Sequence, residues 1–491
     1  MRERLKSNLS EKVIQYLFAP SIKGECNRSF ENMMEVNKAH LMMLVSEDII
    51  AEDVGCKIMK ALTEISESGS RDLEIDPGLE DLYFNIEAKL IEKVGVEIGG
   101  QLHTGRSRND LYATVTRLNS RKSVLKLCHL VLELRETLLK LAKDNKKVTM
   151  SGYTHMQPAE PITLGHYFSA ILYALERDFC RFMRAFQNTN LSPLGSGAMA
   201  STTFQIDRKR TAQLLGFTGA LGNSLDGIAS RDYMLEIVSA MNIFMNTLSR
   251  LSYDLYIWST DEYSLVEVDD SVAASSSIMP QKKNPITLEH IKGKSAHVLG
   301  ALVSITSSIK NTPYGHSRDL AGESQKCFWD AMNETEASLE ILIETIKTMK
   351  FNEERMLSQA TRNFSTVTEL ANILVREAQV SFRQAHQIVG QLVNYLLESK
   401  LTVTDITPEL IKDVAFQVLN SEISVQEEAI QKALDPVLNV NSKNASGGPA
   451  PLEVENQLKA LKNRLERDTE WFEEQKNAIH NRKESLLQAQ I

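Results

Sequence analysis

A long regular pattern of apolar residues lies between Ser107 and Asn145, where no glycine or proline interrupts the chain. Apolar side chains recur there every three or four positions, at Leu111, Val115, Leu118, Val124, Leu127, Val131, Leu134, Leu138 and Leu141. This spacing is typical of an α-helix with one side buried. At a rise of ~1.5 Å per residue, the predicted helix is on the order of 55 Å long.

Further stretches with the same spacing predict long helices over residues 162–189, 229–263, 286–310 and 323–349. Few windows alternate between apolar and polar residues, so little β-sheet is expected. Long helices joined by short turns that contain glycine or proline are typical of a helical bundle. The sequence therefore predicts an all-α protein with an elongated central bundle and two smaller, mainly helical end domains.

The predicted domains are an N-terminal helical domain at residues 1–106, a central long-helix bundle at 107–351 and a C-terminal helical domain at 352–491. The last contains the glycine- and proline-rich stretch NSKNASGGPAPLE. A long bundle helix with apolar residues on more than one face needs more cover than one chain supplies. Oligomerisation is the expected source of that cover.

The charge of the chain argues against nucleic acid or an anionic membrane as a partner, because the formal net charge is −9. No run of 18 apolar residues is present, so no membrane-spanning segment is expected. The N-terminus lacks the apolar core of a secretory signal, and the 5 scattered cysteines form no CxxC pair. A cytoplasmic protein is therefore predicted.

Common catalytic signatures are missing, since the sequence contains no HExxH, Walker or GxSxG motif and no Cys/His metal grouping. Polar chemistry instead concentrates in segments that lie where long helices are predicted to start. These segments are HTGRSRND (103–110), SGYTHMQPAEP (151–161) and SSSIMPQKKNP (275–285).

The first segment offers two arginine side chains, Arg106 and Arg108, whose forked donors suit a carboxylate. The helix that follows adds partial positive charge at its N-terminus. The third segment ends in Asn284 and Pro285, which predicts an N-cap followed by proline at the first helical position. Lys282 and Asn284 would then lie at the positive end of another helix.

A capped loop is the ordinary interpretation of any one such segment. Three donor-rich helix starts in one acidic protein make that interpretation improbable, and they indicate a site for a small anionic molecule. The second segment adds Thr154 and His155, held between Gly152 and two prolines.

The segment SSSIMPQKKNP closely resembles the signature Gly-Ser-Ser-x-Met-Pro-x-Lys-x-Asn of the fumarase/aspartase superfamily. The resemblance narrows to the argininosuccinate lyase branch through HTGRSRND, GYTHMQ, PLGSGAMASTTFQIDR (193–208), NSLDGIASRDYMLE (223–236) and GGPAPLEVENQL (447–458). It implies a homotetramer with one shared central bundle, in which each active site combines the three segments from three different subunits. It also implies a reaction without metal or organic cofactor.

The resemblance implies the roles of individual residues. Ser276 aligns with the catalytic serine, His155 with the catalytic histidine and Glu289 with the carboxylate that orients it. Lys282 and Asn284 are suited to stabilise the doubly charged aci-carboxylate intermediate. We favour Ser276 as the base, with His155 as the acid, although the sequence also allows the reverse. The other carboxylate of the substrate falls to Ser107, Arg108, Asn109 and Thr154, and further substrate-binding positions are Ser277, Gln281, Arg231 and His316.

The expected reaction is the reversible β-elimination of fumarate from argininosuccinate, in arginine biosynthesis, or from a closely related N-substituted L-aspartate. On the amine side, this sequence departs from the branch. Where the branch has Tyr, Gln and Lys, this chain has His316, Ala321 and Ser324, and where the branch has a His, this chain has Tyr83. Ser275 also stands where the superfamily has glycine. A sister lyase acting on an adenylosuccinate-like or ethylenediamine-disuccinate-like adduct is therefore an alternative. A non-catalytic crystallin-like homologue is a third, which the retained catalytic groups disfavour.

Overall fold

The computed structural model describes residues 7–488, with side chains described through residue 486. Helices dominate it. The α-helices are α1 (Glu11–Val13), α2 (Ala19–Ser46), α3 (Glu52–Ser68), α4 (Leu82–Val94), α5 (Val96–Gly99), α6 (Arg108–Asp144), α7 (Leu164–Thr189), α8 (Arg208–Leu214), α9 (Ser224–Ala229), α10 (Asp232–Trp258), α11 (Ile286–Lys310), α12 (Ser324–Thr348), α13 (Glu353–Arg362), α14 (Val367–Glu377), α15 (Phe382–Glu398), α16 (Pro408–Leu419), α17 (Glu427–Leu434), α18 (Pro436–Ser442) and α19 (Pro451–Gln488).

The strands are short and pair only in twos. They are β1 (Thr149–Thr154), β2 (Gln157–Thr163), β3 (Leu191–Ser192), β4 (Gly219–Ala220), β5 (Val266–Glu267), β6 (Ala274–Ser275), β7 (Lys283–Asn284) and β8 (Lys350–Phe351). Strands β1 and β2 form an antiparallel hairpin, β3 pairs with β4 in parallel, and β5–β8 and β6–β7 are antiparallel. The predicted all-α class is confirmed.

The long helices that the apolar spacing predicts are confirmed as α6, α7, α10, α11 and α12. Helix α6 packs against α7 and α12, α10 against α7 and α11, and α11 against α12. Their buried faces form one hydrophobic core, which includes Leu134, Phe182 and Phe244. The C-terminal helix α19 lies along α6 and α7 and extends that core.

Two further hydrophobic clusters lie outside this bundle. One joins helices α2, α3 and α4 to the first half of α6, where Leu111 and Val115 contribute. The other is formed by the four helices α14, α15, α16 and α17. The exact domain boundaries at residues 106/107 and 351/352 stay a prediction, because the cluster around α2 also takes in residues of α6 and Leu486.

One face of α11 has no cover within the described chain. Leu299 is 50% exposed and Val303 is 58% exposed, one turn apart. Gly293 and Gly300 lie on the same helix with nothing within 4 Å of the position that a Cβ would occupy. A smooth apolar helix face of this kind is the type of surface that another helix can approach closely.

None of the helices within residues 7–488 combines the length and the apolar character that crossing a bilayer requires.

Candidate active site

The start of α6 is a capped helix end. Ser107 is its N-cap, and its hydroxyl accepts a hydrogen bond from the Asn109 amide at 3.3 Å. Asp110 completes a capping box, because its Oδ1 accepts from the Ser107 amide at 2.9 Å. Its Oδ2 accepts from the amides of Gly195 and Gly197, each at 2.9 Å. Arg108 and Asn109 are therefore held on the first turn of a long, fixed helix, next to the loop that follows β3.

Burial raises the pKa of Asp110 to about 6, and the hydrogen bonds from three amides and the charge of Arg106 oppose that shift. The carboxylate is fully buried. It links the segment HTGRSRND to the segment PLGSGAM, so the geometry of Arg108 depends on both.

The Arg108 guanidinium is already engaged in this structure. Its Nη1 lies 2.7 Å from Asp81 Oδ2 and 3.5 Å from Glu80 Oε2, and the group stacks over the Phe84 ring at 4.0 Å. A bound substrate carboxylate would have to compete with these two acidic side chains. The guanidinium is thus positioned and partly neutralised before any ligand arrives.

Arg106, which the sequence offered as a second carboxylate fork, is buried instead. Its Nη2 donates to Asn37 Oδ1 at 2.6 Å and to the Tyr83 hydroxyl at 3.5 Å. The Tyr83 hydroxyl also lies 2.7 Å from His103 Nδ1 and donates to Glu87 at 2.8 Å. This part of the prediction is wrong, because Arg106 points into the cluster around α2, where its hydrogen bond to Asn37 anchors the segment HTGRSRND.

A cavity of about 360 Å³ opens beside Arg108. We call it the amine-side cavity, because its lining includes His316 and Ala321, two positions that the sequence assigned to the amine side. It brings Glu80 and Asp81 together with His316 and Ala321, which are more than 200 positions away in the sequence. Partial burial lowers the pKa of His316, and the positive charges of Arg231 and Arg108 lower it further. His316 therefore lies within electrostatic reach of two predicted substrate-binding arginines.

Arg231 stands at the start of α10 and is buried. Its Nη1 donates to the carbonyl oxygens of Ile228 at 3.1 Å and Ser230 at 2.7 Å, while its Nε has no partner within the described residues. The side chain that the sequence placed in the substrate site thus faces backbone carbonyls, close enough to His316 to influence its titration.

Ser324 does not line the amine-side cavity, in contrast to Ala321. Its side chain is buried and its hydroxyl donates to the Leu320 carbonyl at 2.8 Å. A π-helical turn over Asp319–Glu323 precedes α12. Because a π turn adds a residue to the helical repeat, positions 321 and 324 face different directions here.

The second segment forms the tip of the β1–β2 hairpin. Thr154 pairs with Gln157, and the two residues between them, His155 and Met156, have φ values of 53° and 59°. Positive φ at both central positions is the geometry of a type I′ turn, which non-glycine residues adopt at a cost. The turn presents Thr154 and His155 to solvent. Glu289 is exposed as well, and within residues 7–488 no hydrogen bond or ion pair joins it to His155.

The third segment is a hairpin loop between β6 and β7, in which Ala274 pairs with Asn284 and Ser275 with Lys283. The Ser276 hydroxyl oxygen accepts hydrogen bonds from the amides of Ile278 at 3.4 Å and Met279 at 3.0 Å. Two amide donors aimed at one hydroxyl oxygen stabilise negative charge on it. The loop chemistry therefore suits an ionised serine.

The rest of this loop faces solvent. Ser277, Gln281 and Lys282 are exposed, and Ile278 is 83% exposed although it is apolar. Lys283, the neighbour of Lys282, forms ion pairs with Asp270 at 2.7 Å and Glu267 at 3.1 Å. Those ion pairs hold one side of the hairpin against the preceding strand region.

The predicted helix cap at Asn284 is wrong. Asn284 ends β7, Pro285 occupies the N-cap position without a side-chain cap, and α11 begins at Ile286. Strand pairing with Ala274 holds the Asn284 backbone extended, so the helix starts later than the Asn-Pro pattern indicates. Lys282 lies in the loop, farther from the helix start than predicted.

Comparison with known proteins identifies the family of this chain from matches along nearly its whole length. A lyase family model matches residues 9–300, and a model of the argininosuccinate lyase C-terminal region matches residues 364–441. "Argininosuccinate lyase 1" of Shouchella clausii is 49% identical over 97% of this chain and 96% of its own length. The argininosuccinate lyase of Methanococcus maripaludis strain C5 is 38% identical over 99% of both chains. This chain belongs to the argininosuccinate lyase family.

Solved structures of other proteins share the fold of this family member. A crystal structure of EDDS lyase in complex with formate superposes with a TM-score of 0.88 at 31% identity, over 98% of this chain and 95% of that one. A 3-carboxy-cis,cis-muconate lactonizing enzyme from Pseudomonas putida, at 17% identity and a TM-score of 0.72, shares the fold.

The single chain of this family member brings together only part of the predicted site. Arg108, Asn109 and His316 share the amine-side cavity, with Arg231 nearby. Thr154 and His155 stand on the β1–β2 hairpin and Ser276 on the β6–β7 hairpin, and neither hairpin contributes a residue to that cavity. The roles assigned to these residues stay predictions.

Three acidic residues at the cavity were not among the predicted site residues: Glu80 and Asp81, which precede α4, and Glu25 on α2. A lone glutamate in a helical stretch has no motif, so no signal in the sequence could have found it. Within residues 7–488 no group of His, Cys, Asp and Glu side chains is arranged to hold a metal ion.

Proposed function

We propose that this chain is a carbon–nitrogen lyase that releases fumarate from argininosuccinate or a closely related N-substituted L-aspartate. The observation that carries the proposal is the Ser276 hydroxyl, which accepts hydrogen bonds from two backbone amides in a loop of the superfamily's signature sequence. Membership of the argininosuccinate lyase family supports the reaction class.

In the proposed mechanism, ionised Ser276 removes a proton from the carbon beside one substrate carboxylate. The electron pair passes through an aci-carboxylate, which Lys282 and Asn284 stabilise, and then forms the carbon–carbon double bond of fumarate. As the C–N bond breaks, the nitrogen takes a proton from His155, which Glu289 orients. One C–H and one C–N bond are lost, and one C=C and one N–H bond are formed. A serine is a poor base unless its alkoxide is stabilised, which is the role of the two amides.

The other carboxylate of the substrate binds at the start of α6. Arg108, Asn109 and Ser107 project from a capped helix end with partial positive charge. Thr154 of the second segment joins them, and Ser277, Gln281, Arg231 and His316 line the remainder. Fixing both ends of the dicarboxylate determines which C–H bond faces the base.

The complete site requires other copies of the chain. We propose a homotetramer in which the three segments of one site come from three subunits, with no nucleic acid and no membrane as partner, in the cytoplasm. The uncovered apolar face of α11 at Leu299 and Val303 supports association, as does the exposure of His155 and Glu289 in the single chain.

A second candidate is a sister activity on a different amine adduct. Ala321 lines the amine-side cavity where the branch has a glutamine, and Ser324 is buried where the branch has a lysine. The likeness to an EDDS lyase structure favours this candidate over an adenylosuccinate-like substrate.

The test is an absorbance assay for fumarate in both directions. Purified protein is given argininosuccinate, and separately fumarate with arginine, simple amines and diamines. Fumarate release from argininosuccinate with an efficiency above that for every other amine supports the first candidate, and preference for another amine supports the second. Absence of fumarate chemistry with all of them would refute a lyase function.

A further inference from the structure

A cleft of about 470 Å³ lies between α2, the middle of α6, the end of α8 and the last turns of α19. We call it the α6–α19 cleft. It forms because α19 reaches back to α2, where Lys483 Nζ pairs with Glu35 Oε1 at 2.8 Å and Leu486 is buried. Within the described part of the chain, the cleft shares no residue with the amine-side cavity and includes none of the predicted site residues. Its volume is in the range of small-molecule sites.

The walls of the α6–α19 cleft are largely apolar. Their apolar residues are Leu118, Leu125, Leu214, Leu215, Phe472 and Ile479. The ring of His129, which also lines the cleft, stacks on Phe472 with 5.6 Å between ring centroids and 21° between ring planes. Such walls suit an apolar or aromatic group, because burying it removes apolar surface from water.

The charged side chains of the cleft are mostly cationic. They are the five cations Arg121, Lys122, Lys126, Lys476 and Lys483 and the two carboxylates of Glu31 and Glu35. This balance is opposite in sign to that of the whole chain, whose formal net charge is −9. A cleft lined by one sign of charge attracts a ligand of the other sign.

Neighbouring carboxylates neutralise only part of this positive charge. The ion pairs are Lys126–Glu336 at 2.9 Å, Lys476–Glu473 at 3.3 Å and Lys483–Glu35 at 2.8 Å. Glu336 and Glu473 do not line the cleft. Lys122 forms no ion pair within residues 7–488. Its ammonium group is therefore free to contact a ligand.

Arg121 adds a buried positive charge that only neutral groups contact. Its side chain is 5% exposed, and its guanidinium donates to Asn190 Oδ1 at 2.8 Å and to the carbonyl oxygens of Gly216 at 2.8 Å and Leu215 at 2.9 Å. Burial lowers the pKa of Arg121 to about 10, and the charge of Glu35 opposes that shift. A buried charge without a counter-ion is costly, so an anion in the cleft would stabilise Arg121 electrostatically.

We propose that the α6–α19 cleft binds a small anion with an apolar or aromatic body, such as an aromatic carboxylate. The body of the ligand packs against the apolar walls. Lys122 on α6 and Lys476 on α19 supply the cations for its anionic group, next to the buried charge of Arg121. Binding is independent of the proposed lyase reaction, because the cleft contains none of the residues assigned to that reaction.

The test compares two dyes with the same ring system, the anionic 8-anilinonaphthalene-1-sulfonate and the neutral N-phenyl-1-naphthylamine. Both become fluorescent when they leave water, and each is titrated into the full-length wild-type protein. The sulfonate is expected to saturate at one molecule per chain and to bind at least about tenfold more tightly than the neutral dye. 2-Naphthoate should displace it, whereas acetate at the same concentration should not, because acetate lacks the apolar body.

Variants locate the bound dye. Lys122→Gln and Lys476→Gln each remove one cation from the cleft and should weaken sulfonate binding by about threefold or more, with little change for the neutral dye. Lys122→Arg keeps the charge and should keep the affinity. Lys140→Gln and Lys459→Gln are matched controls, since these exposed lysines lie on α6 and α19 but outside the cleft. Melting temperatures check that every variant is folded.

Weaker sulfonate binding in Lys122→Gln or Lys476→Gln, with both controls unchanged, supports the proposal. Equal affinity for the two dyes would show that the site does not recognise charge. Unchanged affinity in both cleft variants, or an equal loss in the controls, would show that the dye binds elsewhere. Each of these results, like the absence of saturable binding, overturns the proposal. No measurement requires turnover, so failure of the proposed function would leave the result intact.

Discussion

Ser276 differs from its two neighbouring serines in the hydrogen bonds that its side-chain oxygen accepts. Ser275 belongs to a strand pair and Ser277 faces solvent, while the Ser276 oxygen receives two amide hydrogen bonds. At the residue scale, the proposed role of Ser276 as the base rests on this local hydrogen-bond geometry, since three consecutive serines carry the same chemical group.

Replacing Ser276 by alanine is expected to abolish turnover and to leave folding and assembly intact. Steady-state rates of fumarate formation measure the effect, and Ser68→Ala on the surface of α3 is the matched control. A variant that retains more than about a tenth of wild-type kcat, a barrier change under roughly 1.4 kcal/mol, would remove Ser276 from the role of base.

The amine-side substitutions should behave differently from each other. Ala321→Gln lines the cavity and should be tolerated, with a shift of preference towards argininosuccinate. Ser324→Lys places a charge where the side chain is 1% exposed and should destabilise the fold by roughly 3–5 kcal/mol. Thermal unfolding of the two single variants tests this, and equal melting temperatures would contradict the burial of position 324.

At the scale of the element, several helices start at polar caps of the ordinary kind. Ser107 caps α6, Ser381 caps α15 and Thr407 caps α16, each through its hydroxyl. The cap on α6 also positions Arg108, whereas the cap on α16 lies in the cluster around α14 and α15, which shares no residue with the amine-side cavity. The cap on α16 is therefore expected to contribute to stability and not to activity.

Thr407→Ala should lower stability by about 1 kcal/mol, because the Leu410 amide loses the hydroxyl that accepts its hydrogen bond at 3.2 Å. Thr407→Ser keeps the acceptor and should be close to wild type. Both variants should retain full fumarate-forming activity. Equal losses of melting temperature in the two would show that the cap contributes nothing.

At the scale of the whole molecule, two features of the single chain favour the proposed association. The apolar face of α11 has no partner, and the hairpins that carry His155 and Ser276 contribute nothing to the cavity that holds Arg108. Both observations have one explanation if copies of the chain associate through their long helices.

Val303→Glu is expected to dissociate the assembly, because it places a charge on the exposed face of α11. Leu397→Glu is the control, since Leu397 and Val303 are each 58% exposed and Leu397 lies on α15. Sedimentation or light scattering measures the molecular mass. A Val303→Glu protein that keeps the mass of the wild type would exclude this face as an interface.

Mixing inactive subunits tests whether the site is shared. Arg108→Ala and Ser276→Ala proteins are each expected to be inactive, and mixed assemblies should recover part of the activity. That recovery follows if the two residues reach one site from different subunits. Proven subunit exchange without any recovery would contradict a shared site.

The sequence by itself determined the all-α class, the long helices and the family, because helical periodicity and short motifs are local properties of the chain. It also placed the start of α6 correctly at the segment HTGRSRND, since a helix start depends on residues within one turn. It misplaced the cap at Asn284, where pairing with Ala274 overrides the local Asn-Pro preference.

Only the tertiary structure determined which residues from distant parts of the sequence lie close together. Arg106 and Arg108 are alike in sequence, yet one is buried against Asn37 and the other faces the amine-side cavity. Ser324 turned inward because a π-helical turn precedes it. Glu25 became part of the amine-side cavity because α2 packs across the start of α6. Such placements depend on contacts between distant segments, which no local pattern encodes.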